Sequence, residues 1–243
     1  MSSMSLPLEA NRSLLTFLKA ALAGLGVVFA QASFATDASS TPNATIRTIA
    51  GAKPADRIDA KTTALLVIDF QNEYFTGKLP IPDGMKALKN TQRLIQFADK
   101  AGLPVFHVQH VAPEDSPVFA AGSEGVEFHP LMKPRAHDRS LSKTTVSVFA
   151  STDLDSELKR AGIKTVIVAG LMTHACVAGA ARDAVPQGYS VVVASDATAT
   201  RAITVNGELK VSADELHRSA LASIEDTFGD VMTTQRIISL PVQ

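Results

Sequence analysis

The 243-residue chain contains a single cysteine, Cys176, so no disulfide within the chain stabilises it. Its 23 basic residues nearly balance its 24 acidic residues, and a net charge of −1 gives no reason to expect a nucleic acid or an anionic membrane as a partner. The sequence has no internal repeat and no low-complexity tract. With 46% hydrophobic and 19% charged residues, the composition indicates an ordinary globular protein.

Residues 1–35 have the layout of a secretory signal peptide, in which basic residues precede an apolar run at 20–30 and small residues at 33–35. We expect cleavage after Ala35 or Ala32 and export, to the periplasm. The apolar run is too short to span a bilayer comfortably, so we expect no stable membrane insertion after processing. The alternative is an uncleaved leader that anchors the protein.

Residues 36–58 are rich in Ser, Thr, Asp, Pro and Asn with little periodicity, which predicts a flexible leader. Residues 59–243 suit one domain with a sizeable core. An exposed free thiol is a liability in an oxidising compartment, so the lone cysteine of an exported protein is flagged as a candidate for function.

Strand and helix patterns alternate along this domain. This alternation predicts a three-layer α/β/α fold with a Rossmann-like, mostly parallel sheet and helices on both faces. Strands are predicted at 64–68, 105–111, 165–169, 190–194 and 231–233, and helices at 85–100, 152–162 and 213–228. The segment 112–142 lacks strong periodicity, and we expect it to form a long loop that folds over the site.

Cys176 follows the buried strand in the run Val166-Ile-Val-Ala-Gly170. Small helix-forming residues come next, with Thr173 as a candidate N-cap, so the thiol is predicted in the first turn of a helix. Ligands bind at this edge of open α/β sheets, and a helix N-terminus lowers the pKa of a thiol. The alternative is that Cys176 is a small buried hydrophobic residue.

Three polar residues also lie at or near strand ends. Asp69 ends the first strand, His110 lies near the end of the second, and Lys143 follows the long loop. Alone, Asp69 is also explained as a turn-capping residue and Lys143 as a solvated surface lysine. Together with Cys176 they form the acid, ammonium and thiol that covalent catalysis needs.

The motifs around these residues resemble the isochorismatase-like cysteine hydrolases, a family that includes nicotinamidases, N-carbamoylsarcosine amidase and ureide-cleaving amidohydrolases. The resemblance extends from residue 62 to the C-terminus. The matching segments are Leu66-Val-Ile-Asp69-Phe-Gln71-Asn72; Lys143 with Ser147-Val-Phe149 and Thr152-Asp-Leu154; Gly170-Leu-Met-Thr173-His-Ala-Cys176-Val177; and Gly188-Tyr189 with Asp196-Ala197.

The resemblance implies an Asp69, Lys143 and Cys176 triad. Cys176 is then the nucleophile that forms an acyl-enzyme, Asp69 is the general acid-base and Lys143 maintains the charge balance and favours the thiolate. The family's oxyanion hole maps onto the backbone amides of Met172 and Cys176. Its non-proline cis peptide maps onto Leu171-Met172.

Nicotinamidases of this family bind a metal through an Asp-x-His motif and a further His. Here Val108 replaces the Asp and Val118 replaces the second His, so only His110 remains as a potential ligand. We therefore expect no metal and no other cofactor. His107 and His110 face opposite sides of a strand; His107 is expected at the edge of the core and His110 in the pocket.

The resemblance implies hydrolysis of a C–N bond in a small amide, ureide or carbamoyl compound, by a homo-oligomer. The candidate substrate-binding residues are Gln71, Phe75, His110, Phe128, His129, Phe149, Thr173 and His174. Isochorismatase-type ether hydrolysis and a catalytically silent binding protein on the same fold are the alternatives. A thiol redox role is a further alternative, but the chain has no second cysteine that could resolve a disulfide.

Overall fold

The computed structural model describes residues 43–243, which belong to one compact unit. The predicted signal peptide, residues 1–35, and the leader up to residue 42 lie outside the described residues. Within residues 43–243, no helix is both long and apolar enough to cross a membrane.

A six-stranded, fully parallel sheet forms the middle layer of this unit. The predicted three-layer α/β/α class is confirmed. The strands are β1 (Thr63–Ile68), β2 (Val105–His110), β3 (Arg139–Lys143), β4 (Thr165–Leu171), β5 (Ser190–Ala199) and β8 (Asp230–Met232). Their order in the sheet is β3-β2-β1-β4-β5-β8. The helices are α1 (Ile46–Ile49), α2 (Gly84–Ala101), α3 (Leu154–Arg160), α4 (Ala178–Ala184), α5 (Ala213–Thr227) and α6 (Thr234–Ile238).

Successive side chains of the central strands point to opposite faces of the sheet, and both faces are buried. On one face, Leu65 and Val67 pack in a cluster with residues of α2 and α6. On the other, Leu66 and Ile68 pack with residues of α3, α4 and α5. The near-continuous apolar runs of the sequence follow from this two-sided burial.

Two strand features depart from the predictions. β3 lies within and just beyond the predicted long loop, and it was missed because only Leu141 and Lys143 of its five residues are buried. A separate antiparallel hairpin joins β6 (Ile203–Val205) to β7 (Leu209–Val211). Its turn, residues 206–208, contains Asn206 and Gly207, both at positive φ, and Asn-Gly is a sequence signal for a hairpin turn.

Residues 43–58 also differ from the predicted flexible leader, because they are held by specific contacts. Arg47 of α1 forms ion pairs with Glu225 and Asp230, and the Ala55 amide donates to the Asp230 carboxylate. Ile58 forms a parallel bridge with Val242. The part of the leader that the structure describes therefore belongs to the folded unit.

Candidate active site

The carboxyl ends of three strands bring the predicted triad together. Asp69 directly follows β1, Lys143 is the last residue of β3, and Cys176 lies in a π-helical turn, Thr173–Val177, that follows β4. Close packing of β4 against β1 depends on Gly170, since a Cβ there would lie 2.3 Å from the Ile68 carbonyl oxygen. The turn that carries the thiol is thereby held beside Asp69.

Lys143 lies at the centre of this site, and its side chain is completely buried. Its ammonium nitrogen Nζ is 2.8 Å from Asp69 Oδ2 and 3.4 Å from Cys176 Sγ. The same nitrogen lies 3.2 Å from the Thr145 carbonyl oxygen and 3.0 Å from His110 Nδ1. A surface position for Lys143 is thus excluded by its burial and its polar contacts.

Asp69 is a buried carboxylate whose main partner is this ammonium. Neither carboxylate oxygen accepts a well-aligned hydrogen bond from a described residue, so the contact with Lys143 is an ion pair. Burial raises the pKa of Asp69 because the charged form loses its hydration, and the charge of Lys143 opposes this effect. Asp69 is therefore a stronger base than an exposed aspartate.

The pKa of the Cys176 thiol differs from the expected direction. Burial and the nearby Asp69 charge raise it to about 12, and Lys143 offsets these effects only in part. Lys143 lowers the thiol pKa, as expected, but the net shift is upward, so the expected free thiolate is not favoured. At neutral pH the thiol is protonated, and a base must remove its proton before the sulfur can attack.

The turn around Cys176 has the predicted cis peptide bond between Leu171 and Met172. Thr173 was expected to cap a helix, but Met172 occupies the N-cap position. The Thr173 hydroxyl instead lies 2.8 Å from His217 Nδ1, on α5. This contact joins residues 44 positions apart, and no signal in the sequence predicts it. The Met172 and Cys176 amides as an oxyanion hole stay a prediction.

Gln71 was expected to bind substrate, but both ends of its buried amide bond to backbone groups. Its Oε1 accepts from the His110 amide, and its Nε2 donates to the carbonyls of His110 and Val126. The structure thus corrects the role of Gln71, because these hydrogen bonds fix the end of β2 and the adjacent loop.

The other pocket candidates lie at varied positions. His110 contacts Lys143 directly, and His174 Nδ1 lies 2.6 Å from the Thr200 hydroxyl. Phe149 is a core residue that packs near Tyr189. Three candidates belong to ring pairs between the long loop and the rest of the domain: Phe75 packs against His129 of the loop, and Phe128 of the loop lies edge-on to His107. Their contact with substrate stays a prediction.

His107 is buried, as expected for the core edge, but it is not a simple core histidine. Its Nε2 lies 3.2 Å from the buried Asp138 carboxylate. Asp138 in turn accepts hydrogen bonds from the Arg135 side chain and its amide. This cluster fastens the end of the long loop to β2, and it lies on the opposite face of β2 from His110.

The residues at the family's metal-binding positions do not fit a metal ion. Val108 is fully buried in the core cluster on one face of the sheet, Val118 packs against the cluster on the other face, and neither side chain has a donor atom. The Nδ1 atom of His110, the remaining potential ligand, is in contact with Lys143.

Comparison with known proteins shows the family to which the chain belongs. The family model described as "Isochorismatase domain" matches residues 63–236. The chain is 35% identical to the uncharacterized isochorismatase family protein YddQ of Bacillus subtilis over 73% of this chain and 99% of that protein. It is 32% identical to the secreted isochorismatase effector Isc1 of Verticillium dahliae, over 76% and 94% of the two chains. Maleamate amidohydrolase of Pseudomonas putida is 29% identical over 71% and 83%.

Solved structures whose sequence identity to this chain is comparable to that of these relatives share its fold. A protein from Burkholderia xenovorans LB400 assigned as an isochorismatase is 40% identical, with a TM-score of 0.71 over 75% of this chain and 87% of that chain. A cysteine hydrolase from Pseudomonas syringae pv. phaseolicola is 30% identical, with a TM-score of 0.72 over 76% and 96%. The chain thus belongs to the isochorismatase family of hydrolases.

Proposed function

We propose that the protein hydrolyses a C–N bond of a small amide, ureide or carbamoyl compound through an acyl-enzyme on Cys176. The observation that carries this proposal is the position of Lys143 Nζ, which lies within contact distance of both Asp69 and Cys176 in a solvent-shielded site. A base, a cation and a thiol so arranged form the activated-nucleophile pattern of covalent catalysis.

In the acylation half, Asp69 takes the proton from the Cys176 thiol as the sulfur attacks the substrate carbonyl carbon. A C–S bond forms and the carbonyl oxygen becomes an oxyanion. The family resemblance assigns the binding of this oxyanion to the backbone amides of Met172 and Cys176. The C–N bond then breaks, and protonated Asp69 delivers its proton to the leaving nitrogen. The raised pKa of Asp69 suits both transfers.

In the deacylation half, a water molecule attacks the thioester carbon while Asp69 accepts one of its protons. The C–S bond breaks, and the sulfur takes the proton back as a thiol. The products are an acid and an amine, and the site returns to its starting protonation. Lys143 stays positive throughout, so the negative charge that moves between oxygen and sulfur is always next to a cation.

Burial of the catalytic groups favours a small substrate. Cys176 is only 7% exposed, so a substrate must be compact to reach its sulfur. The amide class is supported by the maleamate amidohydrolase and cysteine hydrolase relatives, while the thiol itself suits C–N cleavage.

The test is release of ammonia or amine from a panel of small amides, ureides and carbamoyl compounds by the mature enzyme, with Cys176→Ala and Cys176→Ser as variants. We expect turnover by the wild type and a loss of at least about 1,000-fold in folded variants. Retained turnover in Cys176→Ala overturns the nucleophile assignment, and no turnover by the wild type across the panel favours the silent binding protein.

The second candidate is isochorismatase-type hydrolysis of a vinyl ether, favoured by the relative named as an isochorismatase effector. That reaction in the family does not need a thiol. Pyruvate release from isochorismate by both wild type and Cys176→Ala therefore identifies this activity, whereas amide cleavage that disappears in Cys176→Ala identifies the first.

We also propose export, with cleavage of the leader after Ala35 or Ala32. The proposal is supported by the basic, apolar and small-residue order of residues 1–35, and the Verticillium dahliae relative is itself named as secreted. N-terminal sequencing of protein from its native host should give a start at residue 33 or 36. A cytoplasmic protein that begins at Met1 contradicts export, and an intact chain in the membrane fraction supports the anchored alternative.

A further inference from the structure

His110 ends β2, and the sheet order places β2 between β1 and β3. Lys143 must therefore extend past the end of β2 to reach Asp69, which follows β1. The parallel register pairs His110 with Lys143, so the two side chains leave the sheet side by side. The His110 Nδ1 atom lies 3.0 Å from Lys143 Nζ.

The number of hydrogens on each nitrogen determines which one donates and which one accepts in this contact. A lysine ammonium has three hydrogens and no acceptor. Because Lys143 pairs with the Asp69 carboxylate, it is the donor, and His110 Nδ1 must be the acceptor. The proton of the neutral imidazole then lies on Nε2. One ammonium hydrogen thus points to His110 Nδ1, while the other two are available to Asp69, the Thr145 carbonyl and the Cys176 sulfur.

The backbone of His110 and one side of its imidazole have contacts that are independent of Lys143. Gln71 bonds to both the amide and the carbonyl of His110, and the Phe119 ring packs edge-on against the imidazole at 5.2 Å. The charged groups that face the imidazole are Lys143 from β3 and Asp69 from the end of β1. An acceptor fixed in this way is pre-organised for a neighbouring donor.

We propose that His110 is a positioning residue, whose neutral Nδ1 holds the Lys143 ammonium between Asp69 and Cys176. This inference rests on the proposed function. When the thiol proton moves to Asp69, the carboxylate loses its charge and the ion pair with Lys143 disappears. His110 then retains the ammonium beside the sulfur, where positive charge is needed as the thiolate attacks.

Two substitutions separate the acceptor from the ring. In His110→Asn the amide oxygen takes the place of Nδ1, whereas His110→Leu has no acceptor. We expect His110→Leu to lower kcat at least tenfold, or about 1.4 kcal/mol, with KM within threefold of the wild type, and His110→Asn to recover kcat to within threefold. The control is His137→Leu, an exposed histidine outside the site. Equal kcat in the wild type and His110→Leu, or no recovery in His110→Asn, overturns the proposal.

A spectroscopic measurement tests the contact without substrate. In ¹⁵N-histidine NMR of the wild-type enzyme, His110 should show a proton on Nε2 and an unprotonated, hydrogen-bonded Nδ1. The Nδ1 resonance should lose its hydrogen-bond shift in Lys143→Met. A proton on Nδ1 in the wild type overturns the proposal. Failure of the proposed function appears instead as absent turnover in the wild type, with the NMR result intact.

Discussion

The Lys143 ammonium lies 2.8 Å from an Asp69 carboxylate oxygen, and both side chains are fully shielded from solvent. A buried ion pair adds little net stability, because desolvation of two charges offsets their attraction. Its presence beside the only thiol of the chain fits the proposed function, which needs a base and a cation together next to Cys176.

Lys143→Ala should make the Cys176 thiol harder to ionise. Lys143 is a group that lowers the thiol pKa, so its removal raises that pKa further, and each unit lowers the thiolate fraction tenfold. We expect alkylation of Cys176 by iodoacetamide at neutral pH to slow at least tenfold, and hydrolysis to fall further.

The control for Lys143→Ala is Lys159→Ala, which removes an exposed lysine paired with Asp155 on α3. This variant should alkylate at the wild-type rate. A Lys143→Ala protein that is folded by circular dichroism yet alkylates as fast as the wild type places Lys143 outside the catalytic chemistry.

Lys143→Ala should also destabilise the fold, because it leaves Asp69 buried without a counter-ion. Loss of one partner of a buried pair costs about 3–5 kcal/mol. Urea unfolding at neutral pH measures this change, and the deficit should shrink as the pH falls and Asp69 becomes protonated. A deficit that grows on acidification contradicts the buried, unpaired carboxylate as its cause.

Gln71→Leu should lower the free energy of unfolding by about 2–3 kcal/mol, because it removes the Gln71 partner of the part-buried His110 amide and carbonyl and one of the two donors to the Val126 carbonyl. Gln92→Leu, which removes a single exposed amide contact to the Leu131 carbonyl, is the control and should change stability little. Equal denaturation midpoints for the two variants would show that the Gln71 hydrogen bonds do not stabilise the fold.

Stability should fall as the pH drops below about 6.5. Burial lowers the pKa of five histidines, so the unfolded chain binds protons near pH 6.5 that the folded protein resists. The folded state therefore keeps this stability above the unfolded pKa and loses it on acidification, at up to about 1.4 kcal/mol per pH unit for each site. The five are His107, His110, His129, His174 and His217.

Urea denaturation at about pH 7.5, 6.5 and 5.5 measures this dependence. His107→Phe should reduce the slope, because it removes one buried titrating site whose carboxylate neighbour Asp138 keeps its contacts with Arg135. Stability that is constant or higher at the lowest pH would count against the assignment.

The activity should not depend on a metal ion, because Val108 and Val118 provide no ligand and His110 Nδ1 contacts Lys143. Prolonged treatment with a chelator should leave hydrolysis unchanged. Loss of activity that zinc or iron restores would show this conclusion to be wrong.

Apolar runs in the sequence predicted the central strands because those strands are buried on both faces. The edge strand β3 was not predicted, because its buried Lys143 gives the segment the polar sequence of a surface strand. Asp69, Lys143 and Cys176 were found because they lie at or just beyond strand ends and match family motifs. The thiol pKa was predicted in the wrong direction, because it depends on the depth of burial and on the balance between two opposite charges.

Contacts between segments that are distant along the chain could not be predicted from the sequence. Gln71 and Thr173 lie within the matching motifs, but their partners, His110 and His217, are 39 and 44 positions away. Only the fold determines that the Gln71 amide bonds to backbone groups and that the Thr173 hydroxyl contacts a residue of α5.

Mass spectrometry of the acid-quenched enzyme tests the central claim most directly. After brief incubation with each amide of the panel, the peptide that contains Cys176 should gain the mass of the acyl group in the wild type. The gain should be absent in Cys176→Ala and persist longer in variants with slowed deacylation. Turnover of an amide without any adduct on Cys176, or an adduct on another residue, would contradict the acyl-enzyme mechanism.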